Sequence, residues 1–424
     1  MDRIRIIELF SKDKQIELIH LHINILIPFV LNSNMKNISL RALLPFIGFV
    51  ILCSCSNHKT ADGDAQIISV DFNRYENLAM SDIISKIEII ALQGDTNSYL
   101  VSPMELRIDG GNFYFRDQHA VFAFNSKGEF LYNTKSRRGR AGNEYFSINE
   151  YTVIDGNVYI MNHDGKIVVY DPDLNLKESF QTQADGYSFW DFCMFNQDVM
   201  AFRTTTLDTI IWQFYSKTQA KTVGSCRLPC KKRGGYKFGT LSSYISNDDM
   251  VLCRLPDNGY SYYTLNPVDC SATERFRYDV GKKYTFSPSD VGDDERITSY
   301  LESHPGEFVI AQETLLNNSF ILTRFGFIEQ VDDFDDMRYR LSFYSLKNGH
   351  HRLINNRFSN GKWIMGIDYM DDTCIYSFEN DYSYLDLLYE DSLLDEESRR
   401  ILKTVNDDTN GLIIKYHLRN DILN

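Results

Sequence analysis

The stretch RIDGGNFYFRDQHAVFAFNSKGEFLYN, Arg107–Asn133, carries the clearest structural signal in the chain. Its alternating apolar residues predict four short strands, separated by a Gly-Gly turn, a polar turn and the turn Asn125–Gly128. Gly128 supplies the positive φ that such a tight turn needs. Four antiparallel strands form a sheet that cannot bury both faces alone. We therefore expect several such sheets to pack around a common axis.

The same pattern returns once with good regularity. VYIMNHDGKIVVYDPDLNLKESF aligns with FYFRDQHAVFAFNSKGEFLYN, and Phe115 and Ile160 lie 45 residues apart, a spacing typical of propeller blades. Four further blades are predicted with less regularity at Ser188–Val223, Ser242–Tyr278, Phe308–Ile354 and Met365–Leu418. The sequence thus predicts an all-β fold, a six-bladed β-propeller with a short helical insertion near the C-terminus.

The two ends of this domain are expected to pair with each other. Lys86–Leu92 precedes the first full blade, and Leu412–Leu418 is the last apolar strand. Pairing between them would close the ring and remove two exposed sheet edges. The predicted helix, within Tyr384–Thr404, lies just before the closing strand.

An export signal is predicted at Met35–Cys55. Lys36 and Arg41 form a basic start, and Ala42–Leu52 is an apolar segment too short to span a bilayer as a stable helix. The segment ends in Leu-Cys-Ser-Cys, which resembles a bacterial lipobox with Cys55 as the lipidated residue. The alternative is an uncleaved N-terminal anchor helix.

These features define the expected domain organisation. Residues 1–34 mix acidic and basic residues, so we expect translation to start at Met35, with residues 1–34 as an extension. Residues 35–54 then form a lipoprotein signal peptide, 55–66 a polar tether and 67–424 the propeller domain. Ser56 is not the aspartate linked to inner-membrane retention. We therefore expect an outer-membrane lipoprotein, with the periplasmic and cell-surface sides both open.

The net charge of the chain argues against nucleic acid as a partner. The formal net charge is −14, whereas nucleic-acid binding requires a positive field to displace counterions from phosphates. An anionic membrane surface would also repel the body of the protein. Contact with the membrane is therefore expected through the lipid anchor alone.

Three segments resemble a known family, the six-bladed β-propeller lipoproteins of Bacteroidetes, akin to NHL-type propellers. They are the blade unit VFAFNSKGEFLYN, the strand region SDIISKIEIIALQGDTNSYLV and the loop SRRGRAGNEYFSI. In that loop Gly139, Gly142, Glu144 and Tyr145 match the family pattern, while Ala141 and Asn143 replace its usual Pro and Gly. The closing strand is also similar, with Gly411 where the family has Pro. The resemblance implies the fold and says little about function.

The loop after the first blade offers a candidate ligand site. Arg137, Arg138 and Arg140 flank a glycine-rich segment that could bind an anion such as a phosphate or a uronate. No helix pattern follows, so the usual context of a phosphate-binding loop is missing. The alternative is a simple connection between two blades.

Three tryptophans are candidates for stacking on sugars. Trp190, Trp212 and Trp363 could each present a ring at a binding face, but each also lies in or next to a predicted strand. Packing in the core is therefore the alternative for all three.

The cysteines and acidic runs predict no metal site or cofactor. Cys226 and Cys230 form a C-x₃-C pair that could close a disulfide in an oxidising envelope. A zinc site would need further Cys or His at ligand spacing, which is not evident. The acidic run QVDDFDDM lacks the pattern of a calcium loop and is interpreted as a solvated turn.

The sequence favours a binding protein over an enzyme. No Ser-His-Asp or Cys-His set is readable, so we expect a scaffold that binds a glycan or a protein partner. Two alternatives stay open: a glycan hydrolase or lyase with carboxylates converging at the axis, and an accessory subunit of a nutrient-uptake assembly. Specificity should lie in segments that depart from the blade pattern, namely the Ser136–Tyr145 loop, the Gly281–Glu307 excursion and the inserted helix.

Overall fold

The computed structural model describes residues 65–182, 191–205, 209–229, 244–246, 251–254, 260–281, 303, 308–328, 338–358, 363–382, 385, 388, 392–406, 409–419 and 421–422. These residues form the six predicted blades. No helix within these ranges is long and apolar enough to cross a membrane.

Blades 1 to 3 each contain four antiparallel strands that follow one another in the chain. Blade 1 consists of β3 (Pro103–Asp109), β4 (Asn112–Asp117), β5 (Ala120–Phe124) and β6 (Phe130–Asn133). Blade 2 consists of β7 (Glu150–Ile154), β8 (Asn157–Met161), β9 (Lys166–Tyr170) and β10 (Leu176–Gln181). Blade 3 consists of β11 (Asp191–Met194), β12 (Val199–Thr205), β13 (Thr209–Ser216) and β14 (Lys221–Pro229).

Blades 4 and 6 each include a strand from the start of the domain, whereas blade 5 has four consecutive strands. Blade 4 consists of β15 (Tyr244–Ser246), β16 (Val251–Arg254), β17 (Ser261–Asn266) and β18 (Ser271–Asp279), with β1 (Gln66–Ser69) parallel to β18. Blade 5 consists of β19 (Phe308–Leu316), β20 (Phe320–Ile328), β21 (Arg338–Ser345) and β22 (His351–Asn355). Blade 6 consists of β25 (Tyr369–Met370), β26 (Cys374–Glu379), β27 (Leu412–Leu418) and β2 (Ile84–Ala91). A small hairpin, β23 (Arg357–Phe358) and β24 (Trp363–Ile364), joins blades 5 and 6.

Each sheet buries both of its faces against its neighbours. Phe113 and Phe115 of β4 pack towards blade 6, whereas Tyr114 between them packs towards blade 2. Ala120–Phe124 is therefore buried at every position. Because alternate side chains point to opposite faces of a strand, β5 is apolar throughout instead of alternating with polar residues.

The predicted ring closure is confirmed. β2 pairs antiparallel with β27, in register from Ile84 opposite Leu418 to Ala91 opposite Leu412. The turn of blade 1 packs against this closure. A side chain at Gly128, where φ is +81°, would place its Cβ 2.1 Å from the carbonyl oxygen of Ala91. The glycine is thus required both by the turn and by the close approach of the closing strand.

The predicted helix before the closing strand is confirmed. α1 spans Glu396–Thr404, and its N-terminus is capped by Asp395, whose carboxylate accepts a 2.8 Å hydrogen bond from Ser398 N. The helix docks on β2, because Ser398 Oγ accepts a 2.8 Å hydrogen bond from Ile89 N. Leu385 and Leu388, which we included in the predicted helix, lie before α1, are also helical, and are buried in the core between blades 5 and 6.

The propeller has two unlike ends. At one end, called here the turn face, the first strand of a blade turns into the second and the third into the fourth. Every such turn has at most five residues. At the opposite end, the long-loop face, the second strand passes to the third and one blade passes to the next. The long connections, including Thr134–Asn149 and Asn380–Gly411, leave the strands at this end.

Candidate functional site

The predicted anion-binding loop is filled by one of its own side chains. Ala141 N donates a 2.8 Å hydrogen bond to Glu144 Oε2. A Cβ at Gly139 would lie 1.9 Å from that same oxygen. Lys166 Nζ donates to the carbonyls of Ala141 and Glu144. These contacts favour a blade connection, and anion binding by Arg137, Arg138 and Arg140 stays a prediction.

Tyr145 explains why this loop has a fixed shape. Its buried hydroxyl contacts Thr134 Oγ1 at 2.7 Å and donates to the carbonyl of His119 at 2.9 Å. Burial raises the pKa of Tyr145 to about 12. The side chain therefore stays neutral and joins the end of blade 1 to the loop that leads to blade 2.

The tryptophans give no support to a stacking site in the described part of the chain. Trp212 is 1% exposed and packs between blades 3 and 4, so its ring faces the core and not solvent. Trp190 and the side chain of Trp363 lie outside the described residues.

The predicted disulfide and lipidation sites are only partly described. Cys226 is a buried free thiol, and burial raises its pKa to about 12. Its predicted partner Cys230 lies outside the described residues, as does Cys55. Both modifications therefore stay predictions. Within the described ranges no group of three or more His, Cys, Asp or Glu side chains could hold a metal ion.

The first strands of the blades surround the axis. β3 lies beside β7 and β25, β7 beside β11, and β19 beside β15 and β25. Side chains on these strands, and those paired with them on the second strands, form the wall that we call the axial wall. This wall is the candidate site.

Three blades carry the same ion pair on the axial wall. In each, a carboxylate of the first strand contacts an arginine at the fifth residue of the second strand. Arg116 Nη2 lies 2.7 Å from Glu105 Oε1, and Arg324 Nε lies 2.6 Å from Glu313 Oε2. Arg203 Nε contacts Asp191 Oδ2 in the same way. The equal positions of the arginines place the three pairs at one level along the axis, in blades 1, 3 and 5.

Sequence reasoning missed these pairs, although a signal was present. An arginine recurs at the fifth residue of three second strands, at Arg116, Arg203 and Arg324, and Arg254 is the fourth residue of β16. A charge repeated at one position of equivalent strands indicates a shared environment. Blades 2 and 6 carry Met161 and Phe378 at that position.

Blade 2 adds a carboxyl group, that of Glu150, whose pKa is unusually high. Glu150, the first residue of β7, is 4% exposed. Its Oε1 accepts a 2.9 Å hydrogen bond from Tyr151 N and lies 3.4 Å from Arg107 Nη2. Burial, reinforced by the negative charge of Glu105, raises the pKa of Glu150 to about 8 against the lowering effect of Arg107. Glu150 is therefore largely protonated at neutral pH.

Within the ion pair of blade 1, Glu105 Oε2 and Arg116 Nε are buried and have no hydrogen-bond partner among the described residues. Most buried polar atoms in folded proteins are paired, and those that are not require an explanation. One acceptor and one donor thus remain unused next to the ion pair of blade 1.

The wall of blades 5 and 6 carries more acid than base. Glu313 contacts Arg324, and Asp368 and Glu379 lie within electrostatic reach of the same arginine. Burial and the charge of Asp368 raise the pKa of Glu379 to about 7. Asp368 as a whole residue is exposed to solvent. Its carboxyl group is nevertheless surrounded by protein, and this desolvation raises the pKa of Asp368. One arginine therefore faces three carboxyl groups.

Comparison with known families assigns the fold. A family model described as a 6-bladed beta-propeller, DUF5128, matches residues 56–286. The chain belongs to this six-bladed β-propeller family. Its relationship to NHL-type propellers stays a prediction. No curated protein matches the chain.

Solved structures similar to this DUF5128 chain are distant in sequence. A protein of Bacteroides fragilis described as exported has a TM-score of 0.63 and 11% identity, covering 84% of this chain and 100% of that one. Virginiamycin B lyase from Staphylococcus aureus has a TM-score of 0.34 and 8% identity, covering 64% and 74%. BamB from Moraxella catarrhalis has a TM-score of 0.31 and 10% identity, covering 73% and 71%. At such identities the likeness concerns the fold only.

Proposed function

We propose that this protein is an outer-membrane lipoprotein whose propeller binds a polar ligand at its axial wall. The observation that carries the proposal is the set of three ion pairs at one level of the wall. An axis filled with apolar side chains would serve packing alone. Charged side chains converging on one place, with hydrogen-bonding capacity left over, are typical of a binding site.

The chemistry of the wall suits a ligand rich in hydroxyl or amide groups. Each arginine uses only part of its five donors in its ion pair, and each carboxylate has further acceptor sites. Glu150, when protonated, adds a donor. A glycan or a polar segment of a partner protein offers both donors and acceptors, so either would match this wall better than an apolar ligand.

The proposed address is the outer membrane, through a lipid on Cys55. It is supported by the basic start, the short apolar segment and the Leu-Cys-Ser-Cys ending at Met35–Cys55. The Bacteroides fragilis protein of similar fold is described as exported, which agrees with this proposal. In this proposal the protein contacts the membrane through the lipid and binds its glycan or protein partner through the propeller.

A binding screen with matched variants tests the axial site. Purified protein is applied to a glycan array and to envelope extracts, and hits are measured by calorimetry. Arg116→Met and Arg324→Met, which remove the charge but keep the stem, should weaken binding at least tenfold, about 1.4 kcal/mol. Arg400→Met, on the exposed surface of α1, is the control and should bind normally. Equal affinity in all three variants would contradict an axial site.

A glycan-active enzyme is the second candidate, and Glu150 is the observation that favours it. A carboxyl group held protonated near neutral pH beside the carboxylate of Glu105 is the arrangement of a general acid with its ionised partner. If the wall cleaves glycans, Glu150→Gln should lower turnover by about 10²-fold or more while binding persists. Intact glycans after prolonged incubation with the wild type would rule this activity out for the glycans tested.

A further inference from the structure

We infer that the axial wall between blades 1 and 2 binds a pyranose ring, with the apolar face of the sugar on two rings of blade 2 and its hydroxyl groups towards the ion pair of blade 1. The inference rests on the proposed binding function and adds the class of ligand and the residues that recognise it. We call these residues the blade 1–2 subsite; they are Met104, Glu105, Arg116, Phe146 and His163.

The ion pair of blade 1 points towards blade 2. Tyr114 packs between these two blades, and Arg116, two residues later in β4, lies on the same face of the strand. Arg116 Nη1 donates to the carbonyls of Ile148 at 3.3 Å and Asn149 at 3.0 Å. Met104 is paired with Arg116 across the two strands, so its side chain shares that face. Because Met104 is 38% exposed, an accessible apolar side chain lies beside the guanidinium.

Asn149 connects the guanidinium to two rings of blade 2. Its backbone carbonyl accepts from Arg116, and its Oδ1 lies 2.8 Å from His163 Nδ1. The rings of His163 and Phe146 stand edge to face, with their centroids 5.5 Å apart. His163 is exposed and Phe146 is partly exposed. A charged pair and two accessible rings therefore meet at the long-loop end of this wall.

The backbone fixes the positions of the two rings. Phe146 N and Ser147 N donate to Asn162 Oδ1 at 3.1 and 3.3 Å, and Asn162 is fully buried. His163 N in turn donates to Ser147 Oγ at 3.2 Å. Groups that are already ordered lose less conformational entropy when a ligand binds. The rings are therefore suited to a rigid ligand.

A pyranose ring matches this combination of groups. Its C–H bonds form an apolar face that packs on a flat ring, and the hydroxyls at its rim donate and accept hydrogen bonds. Glu105 keeps 23% and Arg116 keeps 15% of its side chain exposed, so neither is fully covered, and together they supply acceptors and donors in one place. An apolar ligand would bury these groups without partners, at a cost. A polypeptide would have to supply the apolar face and the hydroxyl-rich rim from separate residues, whereas one sugar ring supplies both.

Saturation-transfer NMR with methyl pyranosides tests the inference. The full-length protein is mixed in turn with the methyl pyranosides of glucose, galactose, mannose, xylose, N-acetylglucosamine and glucuronic acid. At least one of them should receive saturation, most strongly at the C–H groups of one ring face, and titration of this signal measures the affinity. Absence of saturation in every one of these sugars would overturn the inference.

Phe146→Leu is the main test variant, because leucine keeps an apolar side chain but removes the flat ring. We expect it to weaken binding of the pyranoside about fivefold. Phe180→Leu is the matched control, since Phe180 is also partly exposed but lies in β10, at the outer edge of the same blade. This control should bind normally. His163→Ala, at an exposed turn position, is a second variant that should also weaken binding.

Thermal unfolding of each variant is measured alongside. If Phe146→Leu fails to fold, His163→Ala carries the test. A pyranoside that binds both variants as tightly as the wild type would overturn the subsite.

Failure of this inference is distinguishable from failure of the proposed function. If Arg116→Met weakens binding of an envelope component while no pyranoside binds, the axial site stands and the pyranose ring is excluded. If Arg116→Met changes the binding of no ligand, the axial site itself is wrong.

Discussion

Arg116 Nη2 lies 2.7 Å from Glu105 Oε1, and Glu105 itself has a φ of +54° at an irregularity in the pairing of β3 with β4. A positive φ is costly for a residue with a side chain. Because Arg116 also donates to the carbonyl of Asn149 at 3.0 Å, one guanidinium connects the bulge of blade 1 to the start of blade 2.

Arg116→Met should therefore destabilise the fold as well as weaken ligand binding. The substitution leaves Glu105 without its partner in a site where both side chains are mostly buried, and we expect a loss of about 1–3 kcal/mol. Denaturant unfolding measures it. In Arg400→Met the lost partner is Glu397, and both side chains are exposed, so the loss should stay below about 0.5 kcal/mol. Equal losses in the two variants would show that the axial pair contributes no more than a surface pair.

The raised pKa of Glu150 predicts how stability depends on pH. The folded carboxyl binds its proton up to a pKa of about 8, whereas its usual value is 4.5. Between these values the folded state holds more protons than the unfolded state, so the free energy of unfolding falls as pH rises. The slope from this group approaches about 1.4 kcal/mol per pH unit.

Glu150→Gln should remove that slope. The amide keeps the acceptor for Tyr151 N but cannot ionise, so the variant should be more stable than the wild type at pH 8 and similar at pH 5. Urea unfolding at five pH values between these limits measures the effect. Glu129→Gln, at an exposed turn position, is the control. An unchanged slope in Glu150→Gln would mean that the pKa is not raised.

Tyr145→Phe tests whether the loop after blade 1 is fixed by one hydroxyl. The substitution removes hydrogen bonds to Thr134 and to the carbonyl of His119 from a fully buried position. We expect a loss of about 1–3 kcal/mol and faster proteolysis within the loop. Tyr99→Phe, at a ring that is 46% exposed, should change neither quantity. A stable, protease-resistant Tyr145→Phe variant would assign the shape of the loop to Glu144 instead.

At Gly411 the chain differs from the resembling family, which has proline there, and residues with a side chain would be strained at this position. Its φ is +126°, and a Cβ there would lie 2.5 Å from the ring of Phe378. Proline, the residue of the resembling family, has φ near −65°. We expect Gly411→Pro to prevent the closing strand from forming in this chain and Gly411→Ala to cost about 1–3 kcal/mol.

Circular dichroism and thermal unfolding of both Gly411 variants test this expectation. Gly142→Ala is the control, because no atom lies within 4 Å of the Cβ it would add. Wild-type stability in Gly411→Pro would show that the backbone at this position adapts freely.

Local patterns were sufficient for the fold, because turns and alternation act over a few residues. The turn at Gly128 was predictable in this way, whereas the pairing of the chain ends was predicted from the need to close the ring. The helical insertion was predicted, and Leu385, Leu388 and α1 are helical within it, whereas the cap at Asp395 was overlooked. Apolar residues at helical spacing predict the insertion but do not determine where α1 begins.

The axial wall could not be predicted from local sequence patterns. Arg107 and Glu150 meet although they are 43 positions apart, because the ring brings the first strands of blades 1 and 2 together. The raised pKa of Glu150 depends on its burial, which an isolated strand does not determine. Trp212 was a candidate for stacking on sugars by its residue type, but its ring is buried in the core.

The pairing of β2 with β27 also constrains how the protein is made. Ser85 Oγ donates to the carbonyl of His417, 332 positions later in the chain. Until the last strand has emerged, blades 1 and 6 each present an unpaired surface, and the nascent domain is an open arc. Contacts this distant in sequence slow folding. Truncation of the last dozen residues should therefore yield aggregation-prone material instead of a slightly shorter propeller.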